Sequence, residues 1–134
     1  MYEDRSNRNR IALDHSDLEL YKIAFQSAMD IFHLSKNWPT EERYSLTDQI
    51  RRSSRSVCGN IAEAWRKRRY TAHFVSKLSD SDAEAAETIV WLEFARECGY
   101  LNEREYEELF DKYDHICRML TNMIKSADKW CKNF

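Results

Sequence analysis

Residues 103–130, EREYEELFDKYDHICRMLTNMIKSADKW, decide the fold. Within them Tyr106, Leu109, Tyr113, Ile116, Leu120, Met123, Ala127 and Trp130 recur at alternating steps of three and four without a slip. A period of 3.5 residues keeps one apolar seam of an α-helix facing a partner, which is the packing of left-handed supercoils and four-helix bundles. Asn102, with Glu105 three residues later, reads as the capping box that starts this helix. Gly99 after Cys98 suits the left-handed position that ends the helix before it. At about 1.5 Å per residue the last helix is expected to run roughly 40 Å.

Working back toward the start, three more helices are expected. Phe74, Leu78, Ser81 or Asp82, Ala85, Ile89 and Leu92 form the inner face of the third, with Thr71 as its N-cap and Arg66–Tyr70 as the connection before it. The second carries Leu46, Ile50, Val57, Ile61, Ala64 and Trp65 inward, with Ser53 and Ser54 filling the intervening turn. Its cap falls somewhere in Thr40–Ser45. Gly59 lies inside this pattern and suggests a kink or a close neighbour there. The first helix opens on a capping box at Ser16–Glu19 and presents Tyr21, Phe25, Ala28 and Phe32 on one face, before Pro39 forbids continuation. Residues 1–14 read as a flexible arm and 15–134 as one bundle domain. Short connections between long helices predict antiparallel neighbours in an up-down-up-down order.

The composition agrees. Two glycines and one proline in 134 residues, where average usage gives roughly nine and seven, nearly exclude hairpins, β-sandwich corners and phosphate-cradling glycine loops. The aromatics Trp38, Trp65, Trp91, Phe94, Trp130 and Phe134 exceed what one bundle seam can hold. Some are therefore expected to be partly exposed or to bury against a second subunit.

The net charge is −2 and the pI about 6.1, which argues against binding to a polyanion through net charge. The distribution is uneven, however. Residues 43–70 hold eight basic and two acidic side chains, while residues 79–114 hold twelve acidic and three basic. Either the two segments pair with each other, within or between subunits, or the basic one faces an external polyanion. Cys58, Cys98, Cys117 and Cys131 are 40, 19 and 14 residues apart, without a C-x-x-C pair or a dense disulfide framework. With no signal peptide or membrane-spanning stretch, a cytoplasmic protein with reduced thiols is expected.

Residues 40–64, TEERYSLTDQIRRSSRSVCGNIAEA, resemble the signature of the four-helix bundle proteins encoded by open reading frames inside 23S ribosomal RNA intervening sequences. That pattern is P-x-E-E-R/K, then L-x-x-Q-x-R-R-A-x-x-S-I-P-x-N-I-A-E-G. Pro39, Glu42, Leu46, Gln49, Arg51, Arg52, Ser56, Asn60, Ile61, Ala62 and Glu63 match it. Phe74, Leu78, Glu87, Leu92 and the turn Cys98–Leu101 extend the likeness over about residues 17–130. Cys58-Gly59, Ala64 and Ser79–Ala86 depart from it. The resemblance implies a four-helix bundle assembled into a ring, a pentamer being the associated form. It also implies kinship with the accessory protein of diversity-generating retroelements, which binds nucleic acid and a reverse transcriptase.

Arg51, Arg52 and Arg55, with Arg66, Lys67, Arg68 and Arg69, form the candidate nucleic-acid surface. Clustered cations neutralise phosphates and gain affinity from counterion release without reading sequence. Trp65, Tyr70 and His73 stand nearby and could stack on single-stranded bases. Gln49, Asn60 and Glu63 are expected to bridge or cap helices, with Arg51 or Arg52 as partners. His15, His33, His73 and His115 are too dispersed for a helical metal site, and Asp80, Asp82, Glu84 and Glu87 read as a solvated acidic face. Cys58 has no evident base. No cofactor and no enzymatic activity are expected. The expected function is a non-enzymatic, oligomeric accessory factor that contacts RNA, DNA or a nucleic-acid enzyme through its basic second helix. The alternative is an assembly module whose basic and acidic helices pair between subunits.

Overall fold

In the computed structural model, which describes residues 14–132, the first backbone turn is closed by two carboxylates rather than by Ser16 and Glu19. Asp14 accepts from the Ser16 N–H at 2.7 Å and donates its own N–H to Asp17 at 3.2 Å. The expected arm, residues 1–14, lies outside the described residues except for Asp14. Five α-helices follow: α1 (Glu19–Ser35), α2 (Leu46–Arg66), α3 (Thr71–Glu97), α4 (Glu103–Lys125) and the short α5 (Ala127–Cys131). Single 3-10 turns stand at His15–Asp17 and Thr40–Glu42. The described residues contain no strand.

The four long helices form a bundle in which α1 and α3 each pack against both α2 and α4. Its centre is made by Ile31, Ile50, Val57, Ile61, Phe74, Leu78, Leu92, Tyr113, Ile116 and Leu120, all fully buried. The inner face of α1 differs from the expected one. Leu20, Ala24, Ser27, Ile31 and Ser35 are buried, whereas Phe25 is half exposed and Tyr21, Ala28 and Phe32 sit on the flank. The buried row contains two serines, so it reads as less apolar than the aromatic row beside it. Small side chains nonetheless fit the crowded side of a helix pair.

The same preference shapes the contact between α2 and α3. Ser53 and Ser54 are buried, and the Ser53 hydroxyl lies 2.8 Å from that of Thr88. The carbonyls of Ile50 and Glu84 are at 3.3 and 2.9 Å to accept whichever proton remains. One helical turn along, Ser81 donates to the carbonyl of Val57 at 2.9 Å. Ser81, not Asp82, therefore takes the inner position, and Thr88 lies deeper than Ile89. Numbers rise along α2 (53, 57) as their partners fall along α3 (88, 81), so these two helices run in opposite directions.

Gly59 neither interrupts α2 nor admits a close neighbour. α2 is continuous through it, the residue is exposed, and a Cβ added there would meet no atom within 4 Å. Thr71 is already helical; Tyr70 precedes α3 and no side chain caps it. Gly99 adopts φ 82°, with the Tyr100 N–H bonded to the Ala95 carbonyl at 2.8 Å and its own N–H to Arg96 at 3.0 Å. That is the Schellman ending. The Asn102–Glu105 box forms as expected, with bonds of 2.7 and 2.9 Å. α4 stops at Lys125, about 35 Å along, because Ser126 leaves helical geometry and its hydroxyl turns back to the Asn122 carbonyl at 2.9 Å. The apolar seam continues in α5, where Ala127 is buried and Trp130 meets Trp65 edge-on at 6.0 Å.

α2 takes its cap from outside. Ser45 precedes it without capping, and Glu42 accepts from the Leu46 N–H at 3.2 Å and from the Ser45 hydroxyl at 2.6 Å. The other oxygen of Glu42 accepts from the Tyr100 hydroxyl at 2.8 Å, 58 residues away. One carboxylate thus starts α2 and ties it to the turn after α3. The bonds from Ser45 and then Tyr100 hold the Glu42 carboxyl below its ordinary 4.5, and the Glu42 carboxylate pushes the Tyr100 phenol up to about 12.

Two outcomes are expected. Gly59→Ala should raise stability by about 0.5–1 kcal/mol, since an exposed helical glycine gives up backbone entropy and has no steric role; an unchanged or lower urea midpoint contradicts this. Glu42→Gln should destabilise the protein at pH 7 by about 1 kcal/mol. Because the folded pKa is depressed, that contribution is complete above the ordinary value and disappears as pH falls through the folded one. The gap between wild type and variant should therefore narrow as pH falls below the ordinary carboxylate value, and a gap that stays constant in acid excludes the charged cap.

Candidate nucleic-acid interface

α2 divides its residues sharply. Ile50, Ser53, Ser54, Val57, Ile61 and Ala64 enter the core, and the opposite side carries the cations. Arg52 and Arg55 are exposed, and Arg51 is half-buried against the end of α1. The Arg51 Nε donates to the Ser35 hydroxyl at 2.9 Å and Nη2 to the Phe32 carbonyl at 3.4 Å. Carbonyls in the last turn of a helix lack intrahelical donors and carry partial negative charge, so a guanidinium suits this place.

Phe32 explains why its own row faces outward. Its ring lies 4.8 Å from the Lys36 ammonium, 4.8 Å from the Arg51 guanidinium and 5.9 Å from that of Arg55. Cations over an aromatic face are attracted by the ring quadrupole. Phe32 therefore gathers three positive side chains from two helices at one place. Lys36 and Phe32 were not candidate site residues. The i, i+4 step between them is visible in the sequence, but their meeting with Arg51 is tertiary.

The cations at the other end of α2 behave differently. The Arg68 Nε donates to the Trp65 carbonyl at 2.9 Å, and its guanidinium lies 3.5 Å from the centre of the Trp65 ring. Burial lowers its pKa, and its place is structural: it closes the last turn of α2. Arg66, Lys67 and Arg69 are exposed. The seven candidate residues thus form two groups, since the eleven helical steps from Arg55 to Arg66 place them about 16 Å apart. Trp65 is core, covered by Arg68 and Trp130. Tyr70 and His73 are both exposed, with ring centres 5.4 Å apart.

The polar trio does not act as one unit. Glu63 pairs with Lys77 of α3 at 2.8 Å, Asn60 donates to the Ser56 carbonyl of its own helix at 3.0 Å, and Gln49 is exposed. Neither Arg51 nor Arg52 serves as their partner. The Lys77 ion pair lowers the Glu63 carboxyl and raises the Lys77 ammonium.

The cations near the end of α1 form no ion pair with the acidic segment. Among the described residues, Lys36, Arg43, Arg51, Arg52 and Arg55 form no ion pair. Several cations elsewhere do, including Lys112 with Asp30 and Arg118 with Asp114, both at 2.9 Å. On α3, Glu84 is raised by burial and by Glu87 and Asp80, with Arg52 pulling the other way.

Burial pushes the Cys58 thiol up to about 11, so it is protonated at neutral pH. No three His, Cys, Asp or Glu side chains among the described residues are grouped to hold a metal ion. No helix of the described residues is long and apolar enough to cross a membrane.

Comparison with known proteins agrees with this architecture. The family described as "23S rRNA-intervening sequence protein" matches residues 16–122. The crystal structure of a protein of unknown function from the S23 ribosomal protein family of Bacteroides thetaiotaomicron is similar, at 30% identity and a TM-score of 0.73. The match covers 79% of this chain and 95% of that one. No curated protein matches. With four long helices in a bundle and a match over most of its length, the chain belongs to the 23S rRNA-intervening sequence protein family.

Proposed function

We propose that this protein is a non-enzymatic, cytoplasmic accessory factor that self-associates and contacts RNA or DNA through the outer face of α2. The observation that carries this reading is the set Arg51, Arg52, Arg55 and Arg66 on one helix, which form no ion pair among the described residues, in a chain whose net charge is −2. Like charges held together without counter-charges raise the local potential, and a polyanion relieves it while releasing its counterions. The two groups, about 16 Å apart, match about five phosphates of a duplex strand at 3.4 Å per phosphate. Tyr70 and His73 offer exposed rings at one end of that track.

Self-association rests on α3. Besides its buried row it presents Ala83, Ala86, Val90 and Phe94 to solvent at steps of three and four, and Phe94 is 54% exposed. A helix that is apolar on two sides is ordinarily buried on both. In this reading the helices follow an up-down-up-down order, and α3 packs against further copies in a ring, a pentamer on family resemblance. The exposed acidic residues of α3 and α4 favour a second reading, a pure assembly module in which they meet the α2 cations of the next subunit.

Light scattering should give an oligomer at micromolar concentration, and Val90→Glu with Phe94→Glu should dissociate it; a wild-type monomer removes the ring. Labelled single-stranded RNA and DNA should bind at 50 mM salt and weaken steeply toward 200 mM. The triple change Arg52→Ala, Arg55→Ala, Arg66→Ala should lower the slope of log K against log salt by about 2. An intact oligomer that binds neither nucleic acid at 50 mM salt leaves the assembly module as the function.

A further inference from the structure

Where α1 ends and α2 begins, the chain folds around a cleft of about 420 Å³. Cations reach it from three places: Lys36 after α1, Arg43 in the connecting segment, and Arg51, Arg52 and Arg55 on α2. Asp48 is the one carboxylate in its lining, and Ser35, Thr40 and Thr47 add hydroxyls. Five positive groups against one negative, none ion-paired among the described residues, make this a strongly cationic concavity. Trp38 lines the same cleft, and its buried indole N–H has no acceptor. A buried donor without an acceptor is uncommon, and an indole N–H can only donate.

A nucleic-acid backbone running along α2 does not account for this shape. Tracking a strand needs cations in a row on an open face, as Arg52, Arg55 and Arg66 supply. Lys36 and Arg43 lie off that row, and with Arg51, Arg52 and Arg55 they surround a hollow. Convergence from several sides suits a small ligand of high charge density. An internal phosphodiester carries one negative charge, whereas a phosphomonoester carries about 1.5 to 2 near neutral pH and three acceptor oxygens. Arg51, although anchored to α1 through two of its N–H groups, keeps three others for such oxygens. The N–H groups in the first turn of α2, at Thr47 and Asp48, add the favourable end of that helix dipole.

We propose that this cleft is a phosphomonoester site that receives the terminal phosphate of a bound nucleic-acid strand, while the rest of the strand follows α2. The proposal rests on the nucleic-acid reading above for its source of phosphate, but the cleft itself can be tested separately. No bond is made or broken; recognition is by charge and by the number of acceptor oxygens.

The test compares one single-stranded oligonucleotide in three forms, with a 5′-phosphate, with a 3′-phosphate and with neither, using the full chain at 50 mM salt. At least one phosphorylated form should bind about 10-fold more tightly than the unphosphorylated one, and inorganic pyrophosphate should reduce that preference. Lys36→Gln with Arg43→Gln, both exposed and off the α2 row, should abolish the preference. The same change should alter affinity for the unphosphorylated strand by less than about 2-fold, because the track remains. Equal binding of all three forms overturns the proposal, as does a preference that survives the double substitution. If no oligonucleotide binds while pyrophosphate raises the melting temperature of the wild type and not of the double variant, the phosphate cleft stands and the nucleic-acid function falls. If neither has any effect, both fall.

Discussion

The bundle depends on the contact between α2 and α3, where hydroxyls replace the large apolar side chains usual in a helix interface. Ser53, Ser81 and Thr88 are buried, and each finds an acceptor in its own helix or the facing one. Satisfied in this way, the polar atoms escape most of the penalty of leaving water. Their small size lets the two backbones lie close. The larger residues Ile50, Val57, Phe74, Leu78 and Leu92 then pack above and below the hydroxyl layer, and α1 and α4 close the remaining sides.

That arrangement fixes where charge can go. With one face of α2 committed to the core, its arginines have only the outer face. The end of α1 gathers some of them through the ring and the carbonyl of Phe32. Among the described residues none of Arg51, Arg52 and Arg55 is ion-paired to the acidic residues of α3 and α4, although Arg52 lies near enough to Glu84 to act on it. Glu42 stands at the edge of the cationic region and is already occupied by Ser45, Leu46 and Tyr100. A carboxylate so engaged is a fixed strut rather than a counter-ion for the arginines.

Much of the fold was legible in the sequence, and the parts that were not share a cause. The 3.5-residue period of α4, the Asn102–Glu105 box and the Gly99 ending are local signals, and each forms as read. The face of α1 was misread because aromatic side chains outweigh serine and alanine on any hydropathy count, although the small residues are the ones the core admits. Gly59 read as a kink or a close approach, yet an exposed glycine within an otherwise well-packed helix costs too little to interrupt it. The arginines were visible as a run of charge. Their division into a cluster near Phe32, a structural Arg68 and an exposed remainder was not, because Arg68 is distinguished by its place over Trp65 and Arg51 by its reach to α1. Lys36 and Trp38 lie outside the basic stretch, and only the fold brings them beside Arg43 and the α2 arginines.

The link between α2 and α3, residues 67–70, is four residues long, and it bears on how the molecule is assembled. Closing a short loop loses little chain entropy, and contacts between neighbouring helices form quickly in folding. The hairpin spanning residues 46–97 is therefore the least demanding first step, with the hydroxyl layer inside it. The cationic cleft belongs to a later stage, because Ser35, Lys36 and Trp38 reach it only when α1 has docked. A chain caught partway along this route would present its arginines as a loose array on one helix. The concave arrangement exists only in the finished bundle.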